Sequence, residues 1–334
     1  MSKMVWIRWL SLLWMMVWIG CREEIPTPPP DEVTLQLKWV HQAQFAGFYA
    51  AEEKGYYSGE NIRIHFQEGG PGVDIAQQVA TGIAQFGVMS PEDILIQRSH
   101  GVPLKAIAAI YRRSAVVFVS RKDSGITRPS DLVGKRIACV DTGGSARDFT
   151  WQFFALMNQL GMDVSRMHLV PYDPEYTGFF NGEVDVTPAF STGGLIKMRK
   201  IGFPVNLIWP DDYGIHFFSD TVFTTDQVVA DRPDLVLRFL RASLKGWRDV
   251  VEDYSKAVDA TVKRARIPDP VLQTSMMEAM LPLVHTGEDV IGWMKPERWR
   301  EMAIHLIRYG MMKDKMEVDS AYTLQFLQEI YPGK

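Results

Sequence analysis

From Val33 to Thr225 the chain repeats one pattern: a short apolar or alternating run, a turn, then a stretch with helical period, in units of about thirty residues. That order calls for parallel sheets flanked by helices. Val33-Thr34-Leu35-Gln36-Leu37-Lys38-Trp39 alternates as a half-buried strand does. A helical period follows through Phe45, Phe48, Tyr49 and Glu52 and stops at Gly55. Ile62–Phe66 alternates again, and Gly69-Gly70-Pro71-Gly72 turns the chain into a helix over Asp74–Ala80. Phe86–Met89 reads as a short buried strand, and Ser90-Pro91-Glu92-Asp93 has the composition of a helix start.

Strands are expected next at Leu104–Ile110 and Ala115–Ser120. A second block begins at Ile137–Val140 and passes through Asp141-Thr142-Gly143-Gly144-Ser145 into a helix near Phe149–Leu160. Val184–Val186 and Val205–Ile208 are its expected remaining strands, and Thr221–Thr225 returns to the first block. Beyond Pro233 the pattern is helical. One core stripe holds Leu235, Phe239, Leu240, Leu244, Trp247, Val251 and Tyr254, and another holds Trp299, Met302, Ala303, Leu306 and Ile307. The predicted architecture is α/β in two lobes: 33–120 plus 221–334, and 121–220. A chain that leaves one lobe, builds a second and comes back suits a hinged binding protein with its ligand in the cleft.

The first twenty residues carry only Lys3 and Arg8 as charges, followed by the apolar run Trp9–Ile19. A basic start and an apolar core this short read as a secretory signal peptide over 1–20. Ile19-Gly20-Cys21 resembles the lipobox of bacterial lipoproteins, which implies lipidation at Cys21. Residues 21–32, rich in proline, then form a stiff tether. The only other cysteine, Cys139, is read as a buried structural thiol. A net charge of −4, with both signs interspersed, offers no basic face for nucleic acid.

Trp39-Val40-His41-Gln42-Ala43-Gln44-Phe45-Ala46-Gly47-Phe48-Tyr49 and the following Ala50–Tyr57 resemble the opening of a protein family. The family comprises the ABC-importer substrate-binding proteins related to thiamine-pyrimidine synthesis and uptake. The glycine turn 69–72, Phe86–Ser90 and Asp131–Ile137 follow in the expected order. The resemblance implies a two-lobed, type II periplasmic-binding-protein-like fold with a hinged interlobe cleft. It also implies a monomer on the extracytoplasmic face of the membrane, served by permease and ATPase subunits. Members bind riboflavin or a formylated aminopyrimidine, and a fungal branch synthesises the pyrimidine. This chain lacks the cysteine-rich run of the fungal enzymes, so no enzyme and no cofactor are expected. Thr187–Gly194 contains no acid to pair with an aminopyrimidine edge, which favours riboflavin over the thiamine precursor.

The candidate ligand residues follow from the turns. Trp39 would stack on a flat ring, while His41 and Gln42 would bond its edge. Phe45 either completes an apolar wall or packs inward. Gly70 allows close backbone approach. Ser90 points into the cleft or caps its helix, and Glu92 faces the cleft or complements the helix dipole. Tyr111 offers a ring and a hydroxyl. Gly143, Gly144 and Ser145 would present N–H donors at a helix start. Phe190 would oppose Trp39 from the second lobe, and Asp212 and Tyr213 lie near the return hinge. His65, His168, His285 and His305 are scattered, without metal-ligand spacing.

Overall fold

The computed structural model describes residues 28–70, 72–140, 146–313 and 316–334. Cys21 and the signal segment therefore lie outside the described residues, as do Gly143, Gly144 and Ser145. Among the described residues ten strands form two five-stranded sheets. The first contains β1 (Asp31–Gln36), β2 (Ile62–Gln67), β3 (Phe86–Met89), β4 (Leu104–Ala109) and β10 (Thr221–Thr225), in the order β2-β1-β3-β10-β4. The second contains β5 (Val116–Arg121), β6 (Arg136–Val140), β7 (His168–Pro171), β8 (Val186–Phe190) and β9 (Val205–Ile208), in the order β7-β6-β8-β5-β9.

The two sheets repeat one plan. In each, β1 or β6 is flanked by parallel neighbours, and one antiparallel strand fills the fourth place. That strand is β10 in the first lobe and β5 in the second, so each is the first strand after one of the two crossovers, 110–115 and 209–220. Because β5 joins the second sheet from Val116 onward, the predicted division after residue 120 falls too late. Which sheet an apolar run joins is a tertiary matter and leaves no local mark.

Three other differences have local causes. β1 ends at Gln36, not Trp39. There the Gln36 side-chain amide donates to the carbonyls of Leu37, Gln67 and Glu68, and the chain bends out of the sheet. β8 runs through Pro188 to Phe190, later than predicted. Its parallel partner β6 meets it only at Val186, so the proline sits where that side of the strand is unpaired. β7 was not predicted; it is an edge strand with no buried residue.

The helices are built as their sequences require. Asp74 caps Ile75–Ala80 by accepting from the Gln77 N–H at 3.0 Å, and Pro91 opens Pro91–Ser99. The amphipathic helix Pro233–Glu252 buries Leu235, Phe239, Leu240, Leu244 and Trp247, but Val251 and Tyr254 stay half-buried. It crosses Ala46–Glu53 closely, with Trp247 edge-on to Phe48. The main apolar core continues from the first lobe into the second through Phe149, Phe153 and Leu156 of the helix Ala146–Gln159. Cys139 lies inside it, where burial pushes its thiol up to about 12. Among the described residues no helix is long and apolar enough to cross a membrane.

Candidate functional site

The ends of the strands decide where chemistry gathers. β1, β3 and β4 end, and β10 begins, on one edge of the first sheet. β6 and β8 end, and β5 begins, on one edge of the second. In open α/β sheets ligands lie outside these carboxyl ends. Here the residues just past the strands meet across the lobes in a buried polar cluster.

Lys38, two residues beyond β1, forms an ion pair with Asp148 in the first turn of Ala146–Gln159. Its Nζ also lies 3.6 Å from Asp220 Oδ1, one residue before β10, and 5.4 Å from the ring centroid of Phe190. Lys38, Asp148 and Asp220 are all buried. Burial alone would push the Lys38 ammonium down. The charges of Asp148 and Asp220 outweigh it, and the lysine is held firmly protonated. Burial raises Asp220, with Lys38 opposing. Gln44 donates to Asp220 Oδ2 at 2.6 Å.

Glu92 is fully buried in the first turn of Pro91–Ser99. Its Oε1 accepts from Gln152 Nε2 of the second lobe at 3.1 Å, and Gln152 Oε1 accepts in turn from Ser114 at 2.7 Å in the first crossover. Burial first, and then the Asp148 charge, push Glu92 up to about 8. The same causes push neighbouring Asp93 up to about 6, while it accepts from Trp151 Nε1 and Ser90 Oγ, each at 3.2 Å. Buried carboxylates this close share too few counter-charges for all to ionise.

A stability prediction follows. Glu92 binds its proton more tightly folded than unfolded, so stability is full below the ordinary carboxylate range and falls as pH rises toward 8. Glu92→Gln keeps the acceptor for Gln152 and should flatten this loss by on the order of a few kcal/mol. Chemical denaturation from pH 5 to 9 measures it; equal slopes in both proteins would refute the buried protonated carboxyl.

The sequence candidates distribute unevenly around this cluster. Ser90 and Glu92 are inside it. Ser90 makes no cap to its helix, and its hydroxyl goes to Asp93. Phe190 is half-buried under Lys38, with Phe149 at 4.6 Å between ring centroids, and Phe149 in turn meets Tyr172 at 4.9 Å. Trp39 is half-buried in the bend beside Lys38, and its carbonyl accepts from the Gly69 N–H at 3.1 Å. Gly69 and Gly70 make that approach possible: a Cβ on Gly69 would lie 2.3 Å from the Leu37 carbonyl oxygen, and Gly70 has φ of +132°.

The others lie apart. His41 is turned to Tyr49, 2.8 Å from Nδ1 to the hydroxyl, and its N–H donates to Glu68 at 2.9 Å. Burial, opposed by Glu68, lowers the His41 ring. Gln42 donates to Gln44 at 2.8 Å. Phe45 and Tyr111 are core side chains, the latter edge-on to Trp247, because both fall on the inward face of the first lobe. Asp212 is exposed and Tyr213 half-buried in the turn Pro210–Tyr213 of the second crossover. Its neighbour Asp211 ties the two crossovers together through Arg113 and takes His216 Nδ1 at 3.0 Å.

Lys38, Asp93, Asp148, Gln152 and Asp220 are functional candidates absent from the sequence reading. Thr187–Gly194 is free of acid, as expected, but the cluster gathers buried carboxyl groups all the same. The acids arrive from three other elements, not from the stretch after β8. Among the described residues no group of three or more His, Cys, Asp or Glu is arranged to hold a metal ion.

Comparison with known proteins agrees with this architecture. The chain is 25% identical over 314 residues to the riboflavin-binding protein RibY of Chloroflexus aurantiacus, covering 90% of this chain and 87% of that one. It is 21% identical over 302 residues to the formylaminopyrimidine-binding protein of Halalkalibacterium halodurans, covering 88% and 90%. The periplasmic aliphatic sulphonate-binding protein SsuA of Escherichia coli superposes with a TM-score of 0.70 at 12% identity, over 88% of this chain and 92% of that one. That last likeness is one of fold: two lobes of the periplasmic-binding-protein kind. The family described as NMT1/THI5 like matches residues 42–257. The chain belongs to the NMT1/THI5-like family.

Proposed function

We propose that this chain is the substrate-binding lipoprotein of an ABC importer and that it captures riboflavin between its lobes. Cys21 would anchor it on the extracytoplasmic face of the membrane, where it would act as a monomer and deliver its ligand to a permease driven by an ATPase. Riboflavin is transported cargo in this reading, not a cofactor.

The observation that carries the proposal is the pairing of rings and polar groups at the strand ends. Trp39 comes from the first lobe and Phe190, backed by Phe149 and Tyr172, from the second. A flat heterocycle closed between such rings gains burial plus about 0.5–1.5 kcal/mol per favourable aromatic contact. The lobes close by rotation about the two crossovers. The similarity to RibY over nearly the whole chain supports riboflavin as the ring.

A thiamine pyrimidine precursor is the second reading, and Asp148 speaks for it, since a carboxylate suits an exocyclic amine. Titration of the chain from Arg22 onward decides between them. Submicromolar riboflavin should quench both its own and the protein's fluorescence, with at least about tenfold weaker binding in Trp39→Ala. The flavin should be recovered unchanged. Binding of the formylated aminopyrimidine with no response to riboflavin would transfer the function to thiamine salvage, and turnover of either ligand would make the protein an enzyme.

A further inference from the structure

The buried cluster contains two oxygens with nothing to do. Glu92 Oε2 and Asp148 Oδ1 are both shut off from solvent and both without a hydrogen-bond partner. Leaving a buried polar atom unpaired costs about 1–3 kcal/mol, more when it is charged. Their companion oxygens are engaged, Glu92 Oε1 with Gln152 and Asp148 Oδ2 with Lys38. In each case the engaged oxygen fixes the carboxyl across the lobe boundary and leaves the other unpartnered inside the cluster. Glu92 belongs to the first lobe and Asp148 to the second. Each is bonded across the lobe boundary, so parting the lobes uncovers both.

We propose that Glu92 and Asp148 are the ring-edge readers of the cleft, Glu92 donating through Oε2–H and Asp148 accepting through Oδ1, and that together they select a heterocycle whose edge sets a carbonyl beside a ring N–H. The inference rests on the riboflavin reading and names the atoms that would carry its specificity. The donor role of Glu92 follows from its surroundings. Lys38 already serves Asp148 and Asp220, Asp93 sits next to Glu92 on the same turn, and Arg147 acts on Asp93. No cation is left to Glu92 alone, and burial holds it protonated to about pH 8. With Oε1 accepting from Gln152 as a carbonyl would, the proton belongs on Oε2. Asp148, held by the Lys38 ammonium, remains the acceptor. An imide edge, with its acceptor–donor–acceptor order, meets one group of each kind. An aminopyrimidine edge, with an amine donor beside a ring nitrogen, can use Asp148 but gives the Glu92 proton a poorer match.

The test needs no variant at its core. Riboflavin and riboflavin methylated at the imide nitrogen are titrated at pH 7, and riboflavin again from pH 6.5 to 9.5. The expected result is at least about a thirtyfold weaker fit for the methylated ring, since the hydrogen bond to Asp148 Oδ1 is lost and a methyl group is forced against it. Riboflavin affinity should also fall progressively above pH 8. Glu92→Gln presents an amide N–H where the acid presented O–H, so its affinity should no longer vary over that range. Glu92→Leu should bind more weakly at every pH. If riboflavin binds while the methylated ring binds equally well and the profile is flat, the edge assignment is wrong and the riboflavin reading stands. If riboflavin does not bind at all, both fall.

Discussion

Replacing Lys38 by methionine should cost about 3–5 kcal/mol of stability, because it removes one partner of a buried ion pair and leaves the others behind. Asp148 and Asp220 would remain buried with their nearest cation gone. Methionine fills most of the lysine's volume, so a cavity is a minor part of the cost. The double variant Lys38→Met/Asp148→Asn should recover much of the loss, since the charge that made the site intolerable is then reduced. Urea unfolding followed by tryptophan fluorescence measures both. A loss below about 1 kcal/mol would mean that the ion pair is solvated in solution, and hence that the lobes stand apart there.

Gly246→Ala should destabilise by about 2–3 kcal/mol, although alanine is the better helix former by roughly 1 kcal/mol. A Cβ at Gly246 would fall 2.2 Å from the Gly47 carbonyl oxygen and 2.7 Å from the Ala51 backbone nitrogen. Those are backbone atoms of the crossing helix, so relief requires the helices to move apart. Doing so would unseat Trp247, which covers Gly47 so closely that a Cβ there would be 2.1 Å from its ring. Gly59→Ala is the matched control: it is helical, and a Cβ there meets nothing within 4 Å. It should be neutral or slightly stabilising. Equal thermal shifts for the two variants would show that the crossing is not held by its small residues.

Much of the fold was legible because its signals are local. Phe86–Met89 is a short apolar run and Thr221–Thr225 a β-branched one, and the structure has both strands at those residues. Where legibility failed, a non-local fact had intervened. The half-exposed edge strand β7 has no alternation to read, β8 runs on through Pro188 because that side of the strand is unpaired, and β5 gave no sign of its sheet. The site was harder. Aromatic residues near strand ends and helix starts were divided between cluster and core by packing alone, so Phe190 reached the cluster while Phe45 and Tyr111 did not. Lys38, Asp148 and Asp220 were passed over because a lysine or aspartate beside a strand and an aspartate in a first helical turn look like solvated residues. Their position past the strand ends was the available signal, and it acquires meaning only once three distant segments share one edge.

The placement of β10 also fixes an order of events during synthesis. Among the described strands β4 pairs with β10 alone, yet β10 is made more than a hundred residues later. At about 5–20 residues per second the ribosome needs on the order of ten seconds to span that interval. Meanwhile all five strands of the second lobe have appeared in one unbroken segment. That lobe can close on itself while the first still has an open slot and an unpaired β4, an edge of the kind that invites mispairing. The earlier-made lobe is therefore the later to be completed, and the chain matures from the middle of its sequence outward.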